Sequence, residues 1–313
     1  MGASSLALHD LDHVVTADGR IYRVVGTLDS RSHFLGYNVY SPSPDGDRRY
    51  QGRPYLKNFI EDNDLPADVL ATYQLIRADD IVEHYDPIRS ALASNATFAG
   101  TIWHDLYAEL TGVFGEEAVG IFGSSMFGLH TTPEGKVRKD IDFVIQGIGN
   151  LPALRQQLPK IRDKLGFTAV TTERQLQQYA RYQKVFRNEH NSIRSIIARR
   201  WTGLQLSPAV VTTIRLRDPA VTTPLDLVTA TPNEDDDVTV SGVVADADGS
   251  HLFPRRFTLV TDRGRKDVAI FWWKFSTPVR DGDRVTLCGS VVTAEHRPVI
   301  RLTNFTRHWL SIA

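Results

Sequence analysis

The stretch IFGSSMFGLHTTPEGKVRKDIDFVI, residues 121–145, decides how the chain is read. One apolar run ends in a small-residue turn, Gly123-Ser124-Ser125, and a second carries two aspartates, Asp140 and Asp142, one residue apart. AVGIFGSS predicts a strand and turn, SMFGLH the start of a short helix, and KDIDFVIQG a second strand. Residues i and i+2 of a strand share a face, which sets Asp140 and Asp142 side by side with Cα atoms roughly 6–7 Å apart. Two carboxylates at that range repel by about 2–3 kcal/mol at an effective dielectric of about 20. Ile141 and Phe143 point the other way and hold the strand in the core. A divalent cation turns this repulsion into attraction, and hard oxygen donors suit Mg²⁺ or Mn²⁺ better than zinc.

The turn supplies a complementary half. A glycine turn that feeds a helix presents backbone N–H groups, with hydroxyls beside them, to an anion such as phosphate. Gly123, Ser124 and Ser125 are therefore the candidate phosphate ligands. In the loop TTPEGKVRK, Lys136, Arg138 and Lys139 lie within reach of the same anion. Metal-binding carboxylates facing an anion-binding turn suit metal-assisted phosphoryl or nucleotidyl transfer.

Working outward, DHVVTADGRIYRVVGTLD (12–29) has β-branched runs around Asp18-Gly19, a hairpin signal, and HFLGYNVYSP (33–42) predicts another strand. Residues 66–95 read as helical, with ADVLATYQLI and PIRSALAS carrying apolar positions three and four apart, and 98–113 predicts a further helix. LPALRQQLPKIRDKLGF is an amphipathic helix stopped by Gly166. A long helix follows, rich in arginine (Arg181, Lys184, Arg187, Arg194, Arg199 and Arg200), and AVVTTIRLRD predicts a strand. Asn233–Asp237 reads as a solvated linker. Beyond it, five short strands with a GDxVxxxG turn before the fourth predict a small barrel of the oligonucleotide/oligosaccharide-binding (OB) type. There, Phe271, Trp272, Trp273, Arg255 and Arg256 have the chemistry to hold a nucleic acid strand, although consecutive aromatics on a strand alternate faces. The expected parts are a β-rich segment at 1–60, a domain with a helical lead-in at 61–232 and the barrel at 238–313.

The bulk numbers exclude several classes. With 36 Lys and Arg against 37 Asp and Glu, the net charge of −1 offers no global field for nucleic acid, so any basic patch is local. One cysteine, Cys288, excludes an intramolecular disulfide framework and suits a reducing compartment. No secretion signal is recognisable in MGASSLALHDLDHVV, and no window approaches the roughly 20 apolar residues of a membrane helix. A soluble cytoplasmic protein with no membrane partner is expected. His130 and His190 are isolated, and nothing in the spacing supports zinc.

Phe122, Gly123-Ser124 and Asp140-Ile141-Asp142 resemble the signature of the DNA polymerase β-like nucleotidyltransferase superfamily: an apolar residue, Gly-Ser, a short helix, then Asp-apolar-Asp. Together with DHVVTADGRIYRVVG (12–26) and IVEHYDP (81–87), the order of parts is similar to that of archaeal predicted nucleotidyltransferases with β-rich segments at both ends. The resemblance implies an α+β nucleotidyltransferase fold in which Asp140 and Asp142 hold Mg²⁺ on a nucleoside triphosphate. It also implies that Gly123, Ser124 and Ser125 bind the β- and γ-phosphates while an acceptor hydroxyl or phosphate attacks the α-phosphorus. The acceptor, whether RNA, a protein side chain or a small metabolite, is left open, as is the oligomeric state.

The superfamily usually adds a third carboxylate from a later strand. In AVVTTIRLRD that position falls near Thr212, and Asp218 reads as a turn residue, leaving Asp226 in PLDLV as the candidate. Two readings stand: a transferase, or a non-catalytic nucleotide- or nucleic-acid-binding protein of the same fold.

Overall fold

The computed structural model describes residues 7–58, 69–94, 98–129, 140–171, 173–175, 177, 180, 199, 201–208, 210–232, 237–272, 279–304 and 307–313. Helix and sheet are mixed, and strands predominate.

The N-terminal strands β1 (His13–Thr16) and β2 (Ile21–Val24) form the hairpin expected around Asp18-Gly19, with Gly19 at φ +82°. After β3 (Thr27–Leu28) come β4 (His33–Pro42), β5 (Arg48–Tyr50) and β6 (Arg53–Lys57). A short helix α1 (Val69–Thr72) then leads into β7 (Gln74–Arg77) and β8 (Ile81–Tyr85). The sheet order is β5-β6-β4-β2-β1-β8, with β7 also on β4. Two segments expected to be helical are thus strands. Gln74–Arg77 pairs with His33–Gly36, which packs Ile76 beside Val14, Tyr22, Val24 and Phe34. Partners 40 residues away decide the state of a segment too short for its own periodicity to do so. The first sheet consequently runs to Tyr85, past residue 60.

Next come α2 (Pro87–Ser94), α3 (Ile102–Phe114), β9 (Val119–Phe122), β10 (Asp142–Gln146) and α4 (Leu151–Lys164). The strands β11 (Thr168–Ala169), β12 (Gly203–Ser207) and β13 (Val210–Arg217) complete a five-stranded sheet of order β11-β12-β13-β10-β9. Within it β10 is antiparallel to β9 and parallel to β13. α4 buries Leu151, Leu154, Leu158 and Ile161 at helical spacing, and the chain turns at Gly166 with φ +72°. Gly120 lets α2 approach β9: a Cβ there would lie 2.8 Å from the Pro87 carbonyl carbon.

β14 (Thr222–Thr223) pairs with β3, and a short helix α5 (Leu225–Thr229) leads to the last region. That region contains β15 (Asp237–Ala245), β16 (Arg255–Thr261), β17 (Gly264–Ile270), β18 (Arg284–Ala294), β19 (Arg297–Leu302) and β20 (Trp309–Ile312). The ring β15-β16-β17-β19-β18 closes through β15–β18, with β17 parallel to β19. This is the expected five-stranded barrel, with OB-like connectivity; β20, which the sequence did not announce, adds to β18. Phe257, Leu259, Val268, Leu287 and Leu302 fill it. Trp272 is buried with its indole N–H on the Thr303 carbonyl at 3.3 Å, and Phe271 is buried in the larger core. Trp273 lies outside the described residues.

Two polar joints tie the parts together. Arg217, 1% exposed at its side chain, donates to Asp12 at 2.7 Å, Asp86 at 3.1 Å and Gln146 at 2.9 Å. It thereby locks β13 to β1 and to the start of α2. Arg301 of β19, fully buried, donates to the carbonyls of Leu227 (2.9 Å) and Ala230 (2.8 Å), capping the end of α5 with a cation. No helix among the described residues is long and apolar enough to cross a membrane.

Candidate functional site

Strand register brings the two halves of the opening stretch together. Asp142 is the antiparallel partner of Phe122, the residue immediately before Gly123. Gly123 takes φ +84°, and a Cβ there would meet nothing within 4 Å. Residues 123–127 form a short 3₁₀ helix, closed by Leu129 N–H on the Ser124 carbonyl at 2.9 Å. Ser124 is half-buried. Ser125 is buried and donates its hydroxyl to the Phe122 carbonyl at 3.4 Å, which departs from the phosphate-facing role expected of it. Phe127 anchors the turn to the N-terminal sheet, edge-on to Tyr85 (4.6 Å between centroids), His13 (5.3 Å) and Tyr50 (5.8 Å).

The two acids differ. Asp140 is exposed and lies just before β10, not within it. Asp142 begins the strand, and one of its carboxylate oxygens accepts the Thr213 N–H at 3.0 Å. Burial, and then the charge of Asp140, push its pKa up to about 6, against the pull of Arg215 and Arg23. Its surface stays partly accessible, so the shift arises from protein packed around the carboxyl and not from sealing it off from water.

The strand position beside the pair carries no acid. β13 is the parallel neighbour of β10, and beside Ile141 and Asp142 it carries Thr212 and Thr213. Thr212 is buried and donates its hydroxyl to the Ile141 carbonyl. Asp218 is a turn residue, accepting from Ile148 N–H and Ala220 N–H at 2.9 Å each. Asp226, the sequence candidate, sits in α5 and accepts the Glu295 N–H of the barrel at 2.7 Å, so its hydrogen bond faces the barrel and not the pair. Lys136, Arg138, Lys139 and His130 lie outside the described residues, as do Arg181, Lys184, Arg187, His190, Arg194 and Arg200. Arg199 pairs with Asp283 of the barrel at 2.5 Å.

Sequence reasoning missed the cations around the pair. The Arg23 guanidinium of β2 lies 5.6 Å from the centroid of the Phe122 ring, and Asp142 and Asp10 are among the charges it feels. Burial, aided by Arg48 and Arg23, lowers the pKa of Lys57 at the end of β6, while Asp140 and Asp142 oppose the shift. Arg215 of β13 acts on both Asp142 and Asp10. An arginine inside the apolar run IYRVV was the one readable signal. Lys57 gave none, because only the packing of one sheet on the other brings it near. Beyond Arg215 a cleft of about 30 Å³, lined by Asp10, Trp201, His251 and Arg255, has room for little more than water.

Among the described residues no group of three His, Cys, Asp or Glu side chains is placed to hold a metal. Two carboxylates nonetheless fit Mg²⁺, which commonly takes one or two protein carboxylates and completes its shell with water and substrate phosphates. Burial and the charge of Asp140 both disfavour the ionised Asp142 carboxylate, and a bound cation would favour it.

The sequence matches no protein-family model, and no curated protein matches it. Among solved structures, the tetrameric p202 HIN2 is similar at 9% identity and a TM-score of 0.20, over 36% of this chain and 61% of that one. The match spans less than two thirds of that chain, and a likeness so slight carries no argument about fold or function.

Proposed function

We propose that this chain is a Mg²⁺-dependent nucleotidyltransferase that moves a nucleoside monophosphate from a nucleoside triphosphate to a hydroxyl or phosphate acceptor. The observation that carries the reading is the register of Asp142 on Phe122, which sets the Gly123-Ser124 turn against the Asp140/Asp142 pair. Arg23, Lys57 and Arg215 around the pair supply the cationic surroundings that a polyphosphate needs.

In this reading, backbone N–H groups at Gly123 and Ser124 hold the outer phosphates, and Arg23 and Lys57 offset their charge. Asp140 and Asp142 hold Mg²⁺, which when bound supplies charge neutralisation to the phosphates and to the departing pyrophosphate. The acceptor oxygen forms its bond to the α-phosphorus as the bond to the β-phosphate bridge breaks. Pyrophosphate leaves, and the acceptor proton passes to solvent. The contribution of the protein is positioning and preorganised charge.

One observation favours the second reading, a non-catalytic nucleotide binder: threonines, not an acid, stand beside the pair on β13. Labelled nucleoside triphosphate with Mg²⁺, presented with RNA, protein and small-molecule acceptors, separates the two. Label transfer or pyrophosphate release that is lost in Asp140→Ala supports the transferase. Nucleotide binding without turnover on any acceptor leaves the binder.

A further inference from the structure

Between α5 and the outer face of the barrel lies a crevice of about 280 Å³, walled by Leu227 on one side and by β16, β17 and β19 on the other. Arg255 and Arg256 are neighbours on β16 and point to opposite faces. Arg255 turns inward and donates to the Ser250 carbonyl at 2.8 Å. Arg256 lines the crevice, and its Nε and Nη2 are buried without a hydrogen-bond partner among the described residues. These two nitrogens form one edge of the guanidinium, a pair of parallel donors suited to a planar group with two adjacent acceptors. Burial lowers the pKa of Arg256 while the charge of Glu295 opposes the shift, placing that carboxylate near the guanidinium.

The remaining lining selects among ligands. Arg256 and Arg297 face three acids, Asp246, Asp267 and Glu295, so the crevice carries two positive groups against three negative. A polyphosphate or a run of nucleic acid backbone is disfavoured by that balance. A neutral group with two adjacent acceptors for Arg256 and donors for a carboxylate is favoured. Guanine meets both needs, with O6 and N7 as adjacent acceptors and the N2 amino group as donor. The volume falls just below the roughly 300–1,000 Å³ of small-molecule pockets, which admits one base and not a strand. The helix α5 enforces that limit. Its docking on the barrel is held by Arg301 on the Leu227 and Ala230 carbonyls and by Glu295 N–H on Asp226.

We infer that the crevice between α5 and the barrel binds a single guanine base, with the Nε/Nη2 edge of Arg256 on O6 and N7 and an acid of the crevice on the N2 amino group. The inference does not rest on the transferase reading, because no residue of the Asp140/Asp142 site takes part in it.

The test is equilibrium binding to the full chain carrying Asp140→Ala, so that affinity at the triphosphate site does not contribute. The probes are guanosine, adenosine, 7-deazaguanosine and short single-stranded oligonucleotides with one terminal guanine or adenine. Guanine probes are expected to bind, with affinity falling roughly tenfold or more for adenine and for 7-deazaguanosine, which lacks the N7 acceptor. Arg256→Met is expected to remove the preference. Arg256→Lys, which keeps the charge and stem but lacks the paired donors, is expected not to restore it, with thermal melting showing both variants folded. Tighter binding of the guanine-ended oligonucleotide than of guanosine assigns the base to a strand end, and equal binding assigns it to a free nucleoside. Equal affinity for guanine and adenine, no binding, or full guanine affinity in folded Arg256→Met overturns the inference.

Discussion

The parallel pair β10–β13 carries charge at both of its ends, and the two ends are built to opposite purposes. At the Gln146/Arg217 end both terminal nitrogens of the cation have acceptors: Arg217 meets Asp12, Asp86 and Gln146, and His84 Nε2 lies 2.9 Å from the second oxygen of Asp12. Burial works against the Asp86 carboxylate, yet Arg217 and the Ile88 N–H hold its pKa below the usual carboxylate range. At the Asp142/Thr213 end the balance is reversed. Asp142 is pushed up to about 6 by burial and by Asp140, and a glycine turn opens beside it. A buried charge with partners in place is a structural joint, whereas a half-buried carboxylate beside a like charge and an open turn costs stability unless a ligand completes it.

The largest effect belongs to the closed end. Arg217→Met leaves the buried Asp12 without its guanidinium and is expected to lower stability by about 3–5 kcal/mol, read as a shift of the urea midpoint. A loss below about 1 kcal/mol would erase the contrast between the ends.

At the open end, Asp142→Asn is expected to stabilise the protein in chelator at pH 8, by about 2 kcal/mol. The sign follows from the raised folded pKa: the ionised carboxylate is destabilising as pH climbs from about 4 through about 6, so the gain is absent below about pH 4. Saturating Mg²⁺ is expected to stabilise the wild type and not this variant. A loss of stability at pH 8 would show that Asp142 already has its partners.

The barrel offers a third carboxylate for the comparison. Burial opposes the ionised form of Asp237, but Ser290 at 2.7 Å, His308 and Arg307 together hold its pKa low. Its contribution is therefore present above about pH 4 and lost as pH falls through the depressed value. Asp237→Asn is expected to cost about 1–2 kcal/mol at pH 7 and almost nothing at pH 2, by thermal melting across that range. The smallest change is Thr212→Val, which removes the hydroxyl donated to the Ile141 carbonyl at nearly constant shape. About 1 kcal/mol of stability is expected to go, with nucleotide affinity within twofold of wild type. A large loss of affinity instead would give Thr212 a part in the site.

Legibility followed sequence distance. The Asp18-Gly19 hairpin, α4 with its stop at Gly166 and the five barrel strands were readable because turn chemistry and periodicity are local. Gln74–Arg77 and Ile81–Tyr85 were not, since short apolar segments take the state that their distant partners β4 and β1 impose. In the candidate site, the Gly123-Ser124 turn and the two aspartates were visible as a pattern, and the lack of an acid near Thr212 was visible with them. The inward turn of Ser125 and the docking of Asp226 on the Glu295 N–H were not.

The sequence by itself determined which groups could do chemistry and that two carboxylates lie one residue apart in the chain at the head of an apolar strand, because both depend on residue type and order alone. Only the tertiary structure decided what surrounds them. Register sets Phe122, the residue before Gly123, against Asp142, the N-terminal strands bring the charges of Arg23 and Lys57, and β13 presents Thr212 and Thr213 beside the pair. Those neighbours come from chain segments up to about 120 residues away, and electrostatic energy depends on distance in space, which no local pattern encodes.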